Sequence, residues 1–187
     1  MGYRPLSFLQ GAAELKKGKL IAYPTEAVFG LGCDPQNAAA LNTLLNIKQR
    51  ASSKGLILIA STLEQITPYI DLNPISPETW THIQSTWPGP YTWVFPASKQ
   101  ASSLIQGPGF TVAMRITAHP DAFALCEAFG GAIVSTSANI ATQPPLKDGQ
   151  AVFDQFGDQI AGVLMGDVGG ADKPTTVTNA ITGEVYR

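Results

Sequence analysis

Sulfur and imidazole are scarce in this chain: two cysteines and two histidines in 187 residues. Cys33 and Cys126 have neither CxxC nor zinc-ligand spacing, so neither a redox motif nor a structural zinc site is expected. His82 and His119 stand at no spacing that suits a Ser-His-Asp triad, and the serine-rich run around Ser137 is not GxSxG. No GxxxxGK[ST] loop and no GxGxxG fingerprint occurs. Apolar runs all fall short of the roughly 18 residues that a membrane span requires. The start, Met1-Gly2-Tyr3-Arg4-Pro5, leads into no secretory h-region and has no myristoylation serine or threonine. A reduced, cytoplasmic protein without membrane attachment is expected. Charge is sparse as well, 14% of residues with a net of -2, which argues against a nucleic-acid binder that works by counterion release alone. No repeat or low-complexity tract is present.

What remains is 44% hydrophobic, enough for one sizeable core, and a single domain over residues 1–187 is expected. Ser7 caps a helix to Lys17 that Gly18 ends. Lys19–Tyr23 reads as a buried strand, and Pro24–Asp34 as a loop with two glycines. Asn37 caps a helix whose Leu41, Leu44, Leu45 and Ile47 recur at helical spacing and deliver Lys48 to its last turn. Leu56–Ala60 is a continuous apolar run, as in a strand covered on both faces. Helices are expected over 63–70, 77–86, 120–129 and 148–156. Strands are expected over 91–95, 110–116, 132–135, 162–165, 175–178 and 185–187. Strands and helices alternate without strict βαβ regularity, which predicts an α/β fold with a twisted mixed sheet flanked by helices.

The charges are unevenly placed. Lys48, Arg50 and Lys54 fall within seven residues, and no acid occurs between Pro35 and Leu63. One reading makes Lys48 and Arg50 complements to a helix C-terminus, worth about 0.3–1 kcal/mol. With Lys54 added, the mutual repulsion is of the kind an anionic ligand relieves, Arg as a planar fork and Lys as a point charge. Ser135, Ser137 and Asn139 follow an apolar strand and offer hydroxyls, an amide and backbone N–H groups where α/β sheets bind ligands; a plain serine-rich turn is the other reading. Arg115 sits inside an apolar strand and needs a carboxylate or phosphate partner if it points inward. It needs none at an exposed edge. No catalytic role is assigned to His119. Trp80, Trp87, Tyr91 and Trp93 suit either a core or base stacking.

The runs Ile21–Asp34 (IAYPTEAVFGLGCD), Lys48-Gln49-Arg50 with Lys54, Val112–Arg115 and Ser135–Asn139, in this order, resemble the YrdC-like family from about Leu6 to Arg187. Glu26 stands where that family commonly has aspartate. The resemblance implies an open α/β fold enclosing a large positively charged cavity. It also implies a nucleotidyltransferase that joins L-threonine, bicarbonate or CO2, and ATP into L-threonylcarbamoyladenylate and pyrophosphate. The product supplies the threonylcarbamoyl group of adenosine 37 (t6A) in tRNAs reading ANN codons, through downstream transfer proteins, with direct tRNA binding left open. Implied ATP-binding residues are Lys48, Arg50 and Lys54 on the phosphates, Lys48 and Arg50 being the catalytic pair, with Ser137, Asn139 and Arg187 completing the nucleotide site. Thr25, Arg115 and Thr175 are implied for threonine. Magnesium is implied as well, held mainly by substrate phosphates and water. Two alternatives are a non-catalytic RNA-binding or ribosome-maturation factor, and an ATP-dependent carbamoyl-transfer module of a larger protein.

Overall fold

A computed structural model describes residues 2–187; the reading of the N-terminus at Met1 lies outside the described residues. Among the described residues nine strands form one sheet. They are β1 (Pro5–Leu6), β2 (Ile21–Pro24), β3 (Phe29–Gly32), β4 (Ile57–Ala60), β5 (Tyr91–Pro96), β6 (Thr111–Ile116), β7 (Ile133–Ser137), β8 (Val163–Leu164) and β9 (Thr176–Asn179), in the order β1-β8-β2-β3-β7-β4-β6-β5-β9. The pairing is mixed. β4 runs parallel to β6 and antiparallel to β7, while β5 is antiparallel to β6 and parallel to β9.

Helices cover both faces of the sheet. On one side α1 (Phe8–Lys16) and α5 (Pro120–Phe129) enclose Leu15, Ile21, Tyr23, Ile59, Leu125 and Ile133. On the other, α2 (Ala38–Lys48), α4 (Pro77–Ser85) and α6 (Gly149–Phe156) help bury the larger core around Phe29, Leu41, Leu44, Leu58, Phe95 and Phe156. The short α3 (Leu63–Ile66) and a 3-10 turn over Thr67–Tyr69 take the place of the single helix expected there. Trp87 and Trp93 are buried in the core, so they offer no stacking face for bases. Among the described residues no helix is long and apolar enough to cross a membrane.

The capping chemistry works as its residue types require. Ser7 Oγ accepts from Gln10 N while Gln10 Oε1 accepts from Ser7 N, a reciprocal capping box, and Asn37 Oδ1 accepts from Ala40 N at 3.0 Å. Asp148 Oδ1 likewise accepts from Ala151 N. Two expectations are corrected and one element is added. The stretch expected as a glycine loop holds β3, all of it buried. Its glycines permit close strand approach: a Cβ on Gly32 would lie 2.4 Å from Val134 O and 2.7 Å from Tyr23 Cε1. β1 was not expected, because Pro5-Leu6 is too short to show a period. Val185–Arg187 adds no strand of its own; it folds back on β9, with a single bridge between Thr178 and Val185.

Candidate active site

A cleft opens where the two halves of the sheet meet. The β2–β3 turn, the end of β7, the end of α2, β6 and the C-terminal hairpin all contribute to it. An inner compartment of about 220 Å³ is lined by Thr25, Glu26, Arg115, Ser135, Ser137 and Thr175, with Arg50 and Arg187 at its rim. An outer compartment of about 470 Å³ carries Lys54, Tyr186 and an apolar wall. The two share Arg50, Leu56, Ile57 and Arg187, so they adjoin.

Arg115 anchors the inner compartment. It sits on β6, inside the molecule, and its alternating neighbours Val112 and Met114 pack into the core. Nη1 donates to Thr92 Oγ1 (3.3 Å) and Thr175 Oγ1 (3.2 Å), and Nη2 pairs with Glu26 Oε2 at 3.3 Å. Its Nε is buried with no hydrogen-bond partner. Glu26 is held in turn by the Thr117 hydroxyl (2.8 Å) and Ala118 N (3.2 Å), both on Oε1. Burial opposes its ionisation, but Arg115 and these donors outweigh it and keep the carboxyl below its ordinary 4.5. Thr25 is buried, and its hydroxyl donates to Val28 O at 2.7 Å, closing the turn that presents Glu26.

The cations of the KxR segment divide. Gln49 adopts a left-handed conformation (φ 48°) that ends α2 and sends Arg50 away from the helix axis toward the cleft. There Arg50 Nη2 and Nε donate to Gly55 O at 2.9 and 3.3 Å. Lys48, one turn earlier, is only 4% exposed and lines neither compartment. Its Nζ donates to Ser137 O, to Asn139 O (2.7 Å) and to Asn139 Oδ1 (2.7 Å). Burial first, then the Arg50 charge, bring this ammonium down to about 8. Ser137 Oγ donates to Asn139 Oδ1 at 2.6 Å, and Asn139 Nδ2 donates to Gln143 O. Asn139 is therefore consumed in holding the loop, while Ser137 remains in the cavity lining.

The structure thus brings Thr25, Arg50, Arg115, Ser137, Thr175 and Arg187 around the inner compartment and sets Lys54 on the outer one. Lys48 and Asn139 lie behind it. Sequence reasoning missed Glu26 and Thr92 as companions of Arg115. The signals were an acid inside a buried stretch and a threonine at an inward position of β5. Like charges crowd the junction: burial and then Arg187 lower the proton affinity of Arg50, and burial and then Arg115 lower that of Arg187. Such a row of arginines fits a polyanion laid across both compartments.

Comparison with known proteins agrees with this architecture. The profile of the Sua5, YciO and YrdC family, described as telomere recombination, matches residues 13–187. The chain is 45% identical over 181 residues to a threonylcarbamoyl-AMP synthase of Vibrio parahaemolyticus, covering 97% of this chain and 98% of that one. A Vibrio vulnificus protein of the same name is 49% identical over 173 residues, covering 92% and 93%. Among solved structures, P. abyssi Sua5 complexed with L-threonine superposes with a TM-score of 0.85 at 30% identity, over 92% of this chain. This chain spans only half of that Sua5 chain.

Proposed function

The chain belongs to the Sua5, YciO and YrdC family, and from that premise we propose that it is a threonylcarbamoyl-AMP synthase acting on L-threonine, bicarbonate or CO2, and ATP. The observation that carries the reading is the pair of adjoining compartments joined by Arg50 and Arg187, with Arg115 buried beyond them. An amino acid fits the inner compartment, with its carboxylate toward the Arg115 guanidinium and its hydroxyl end among Thr25, Thr175 and Ser135. The triphosphate spans the junction, against Arg50, Arg187 and the Ser137 hydroxyl, with Lys54 at the outer side.

The chemistry needs no protein nucleophile. Threonine's neutral amine adds to CO2 and loses a proton, giving a carbamate. A carbamate oxygen then attacks the α-phosphorus, a new P–O bond forms, and the α–β bridging bond breaks to release pyrophosphate. Two anions must be held in contact, so positioning and charge neutralisation are the protein's main contributions. Arg50 and Arg187 do both at the junction. Lys48 acts one step back: with Asn139 it fixes the loop that presents Ser137. Magnesium would enter on the triphosphate, since the cleft's carboxylate, Glu26, is already engaged and the described residues hold no cluster of three His, Cys, Asp or Glu side chains. The product would pass, in the cytoplasm, to proteins that place the threonylcarbamoyl group on adenosine 37 of tRNA.

The test is to incubate the protein with ATP, L-threonine, bicarbonate and magnesium, and to measure pyrophosphate and the adenylate. Threonine-dependent release of both is expected. A folded protein that makes neither would sink the enzyme reading.

A further inference from the structure

The outer compartment has two ends of different character. Arg50, Lys54 and Arg187 make one end cationic, and Val94, Ile105, Pro108 and Val177 make the other apolar. Phosphates suit the first end and not the second. Tyr186 belongs to this lining, yet the residue is 53% exposed. Its place is fixed at both ends: Tyr186 N donates to Val177 O at 2.8 Å, and its phenolic oxygen accepts from Asn179 Nδ2 at 2.7 Å. The ring therefore stands at the mouth of the compartment with its hydroxyl already bonded and its apolar area still in water. A tyrosine so tied is preorganised, and little rotamer freedom is left to lose when a flat ligand covers it. The next residue, Arg187, lines both compartments, and Val177 N donates to Arg187 O at 2.9 Å. Consecutive residues of one hairpin arm thus supply an aromatic face and a phosphate-facing cation.

We propose that Tyr186 is the platform on which the purine of the nucleotide stacks, with the apolar wall of Val94, Ile105, Pro108 and Val177 enclosing the base. This rests on the nucleotide reading above and adds the residue that grips the base. Stacking uses the π-face that every base has, so Tyr186 contributes affinity without choosing adenine over guanine.

Calorimetric titration of the intact protein with ATP and, separately, with inorganic tripolyphosphate tests the assignment. Tyr186→Ala is expected to weaken ATP binding by roughly 5- to 150-fold, the range of one base–aromatic stack, and to leave tripolyphosphate binding unchanged. Tyr186→Phe, which keeps the ring, is expected to stay within about threefold of the parent. Both changes remove the bond from Asn179 Nδ2 but keep the backbone hydrogen bond at residue 186, so Tyr186→Phe controls for the lost hydroxyl, and equal thermal unfolding midpoints of the two variants exclude loss of the hairpin as the source of a difference between them. If the parent binds ATP and Tyr186→Ala binds it equally well, the platform is overturned while the nucleotide reading stands. Equal losses for ATP and tripolyphosphate would also overturn it, as the ring would then act on the phosphates. Failure of the parent chain to bind ATP would overturn both readings together.

Discussion

Glu26 and Arg115, 89 residues apart in sequence, meet as a buried ion pair at 3.3 Å on the floor of the cleft. Neither charge is easily kept there alone, because burial removes the water that would share it. The folded-state carboxyl lies below its ordinary 4.5, so near that pH the unfolded chain binds more protons than the folded one. The pair's stabilisation is therefore complete above about 4.5 and is lost as pH falls through the lower folded-state value. Urea unfolding of the parent and of Glu26→Gln should show a parent advantage at pH 7 that shrinks progressively below about 4.5. A difference that does not change with pH would exclude ion pairing as its source.

Lys48 and Arg50 are expected to fail differently. Replacing Lys48 with methionine leaves Ser137 O, Asn139 O and Asn139 Oδ1 without the ammonium that joins them. Ser137 O keeps its bond from Asn139 N, and Asn139 Oδ1 keeps its bond from Ser137 Oγ, but the half-buried Asn139 carbonyl is left unpaired at a cost of roughly 1–3 kcal/mol, so the thermal midpoint should fall. Arg50→Ala removes hydrogen bonds to Gly55 O and a long one to Lys54 O, at a cost of about 1 kcal/mol, but it deletes a cation from the junction. ATP turnover should then collapse in a protein that remains folded. Read as sequence, the two residues form one cationic motif, and equal behaviour of the two variants would restore that reading.

The contrast shows which features are legible in sequence and which are not. Caps at Ser7, Asn37 and Asp148, the helix from Pro120 and the apolar strand ending at Ala60 are local, set by side chains within three or four residues of the backbone they bond. The Lys48–Asn139 contact spans 91 residues, and its direction depends on β7 lying between β3 and β4. No local period encodes that order. β3 was hidden because glycine usually marks turns, whereas Gly32 serves a packing distance against Tyr23 and Val134. Arg115 was recognisable as a cation needing a partner, but Glu26 could be matched to it only once the sheet had brought β6 beside the β2–β3 turn.

Arg115→Lys keeps the charge and removes the planar fork. The guanidinium's contacts to Thr92, Thr175 and Glu26 depend on two separate nitrogens, a planar arrangement that a single ammonium cannot reproduce at that place. The KM for threonine should rise roughly tenfold or more, equivalent to about 1.4 kcal/mol, while the KM for ATP stays near its parent value. Steady-state kinetics with each substrate varied separately checks this. A rise confined to ATP would move Arg115 from the amino acid to the phosphates.

Gly55 links backbone geometry to the cleft. Its φ is 64°, a conformation that strains any residue with a Cβ, and a Cβ there would lie 2.7 Å from Gly107 N and 2.8 Å from Gly107 Cα. Both are backbone atoms of the outer compartment's wall, so relief requires the wall to move. The carbonyl of Gly55 is also the acceptor that orients Arg50. Gly55→Ala is expected to lower stability by about 1–3 kcal/mol and to weaken ATP binding, with threonine binding at the inner compartment retained. Gly130 provides the control: its φ is 84°, but a Cβ there meets nothing within 4 Å, so Gly130→Ala carries the conformational cost of about 1 kcal/mol and leaves ATP binding alone. Thermal unfolding with paired titrations separates the two. Equal stability of the variants, with ATP affinity untouched in both, would show that the wall at Gly107 yields freely and does not set the position of Arg50.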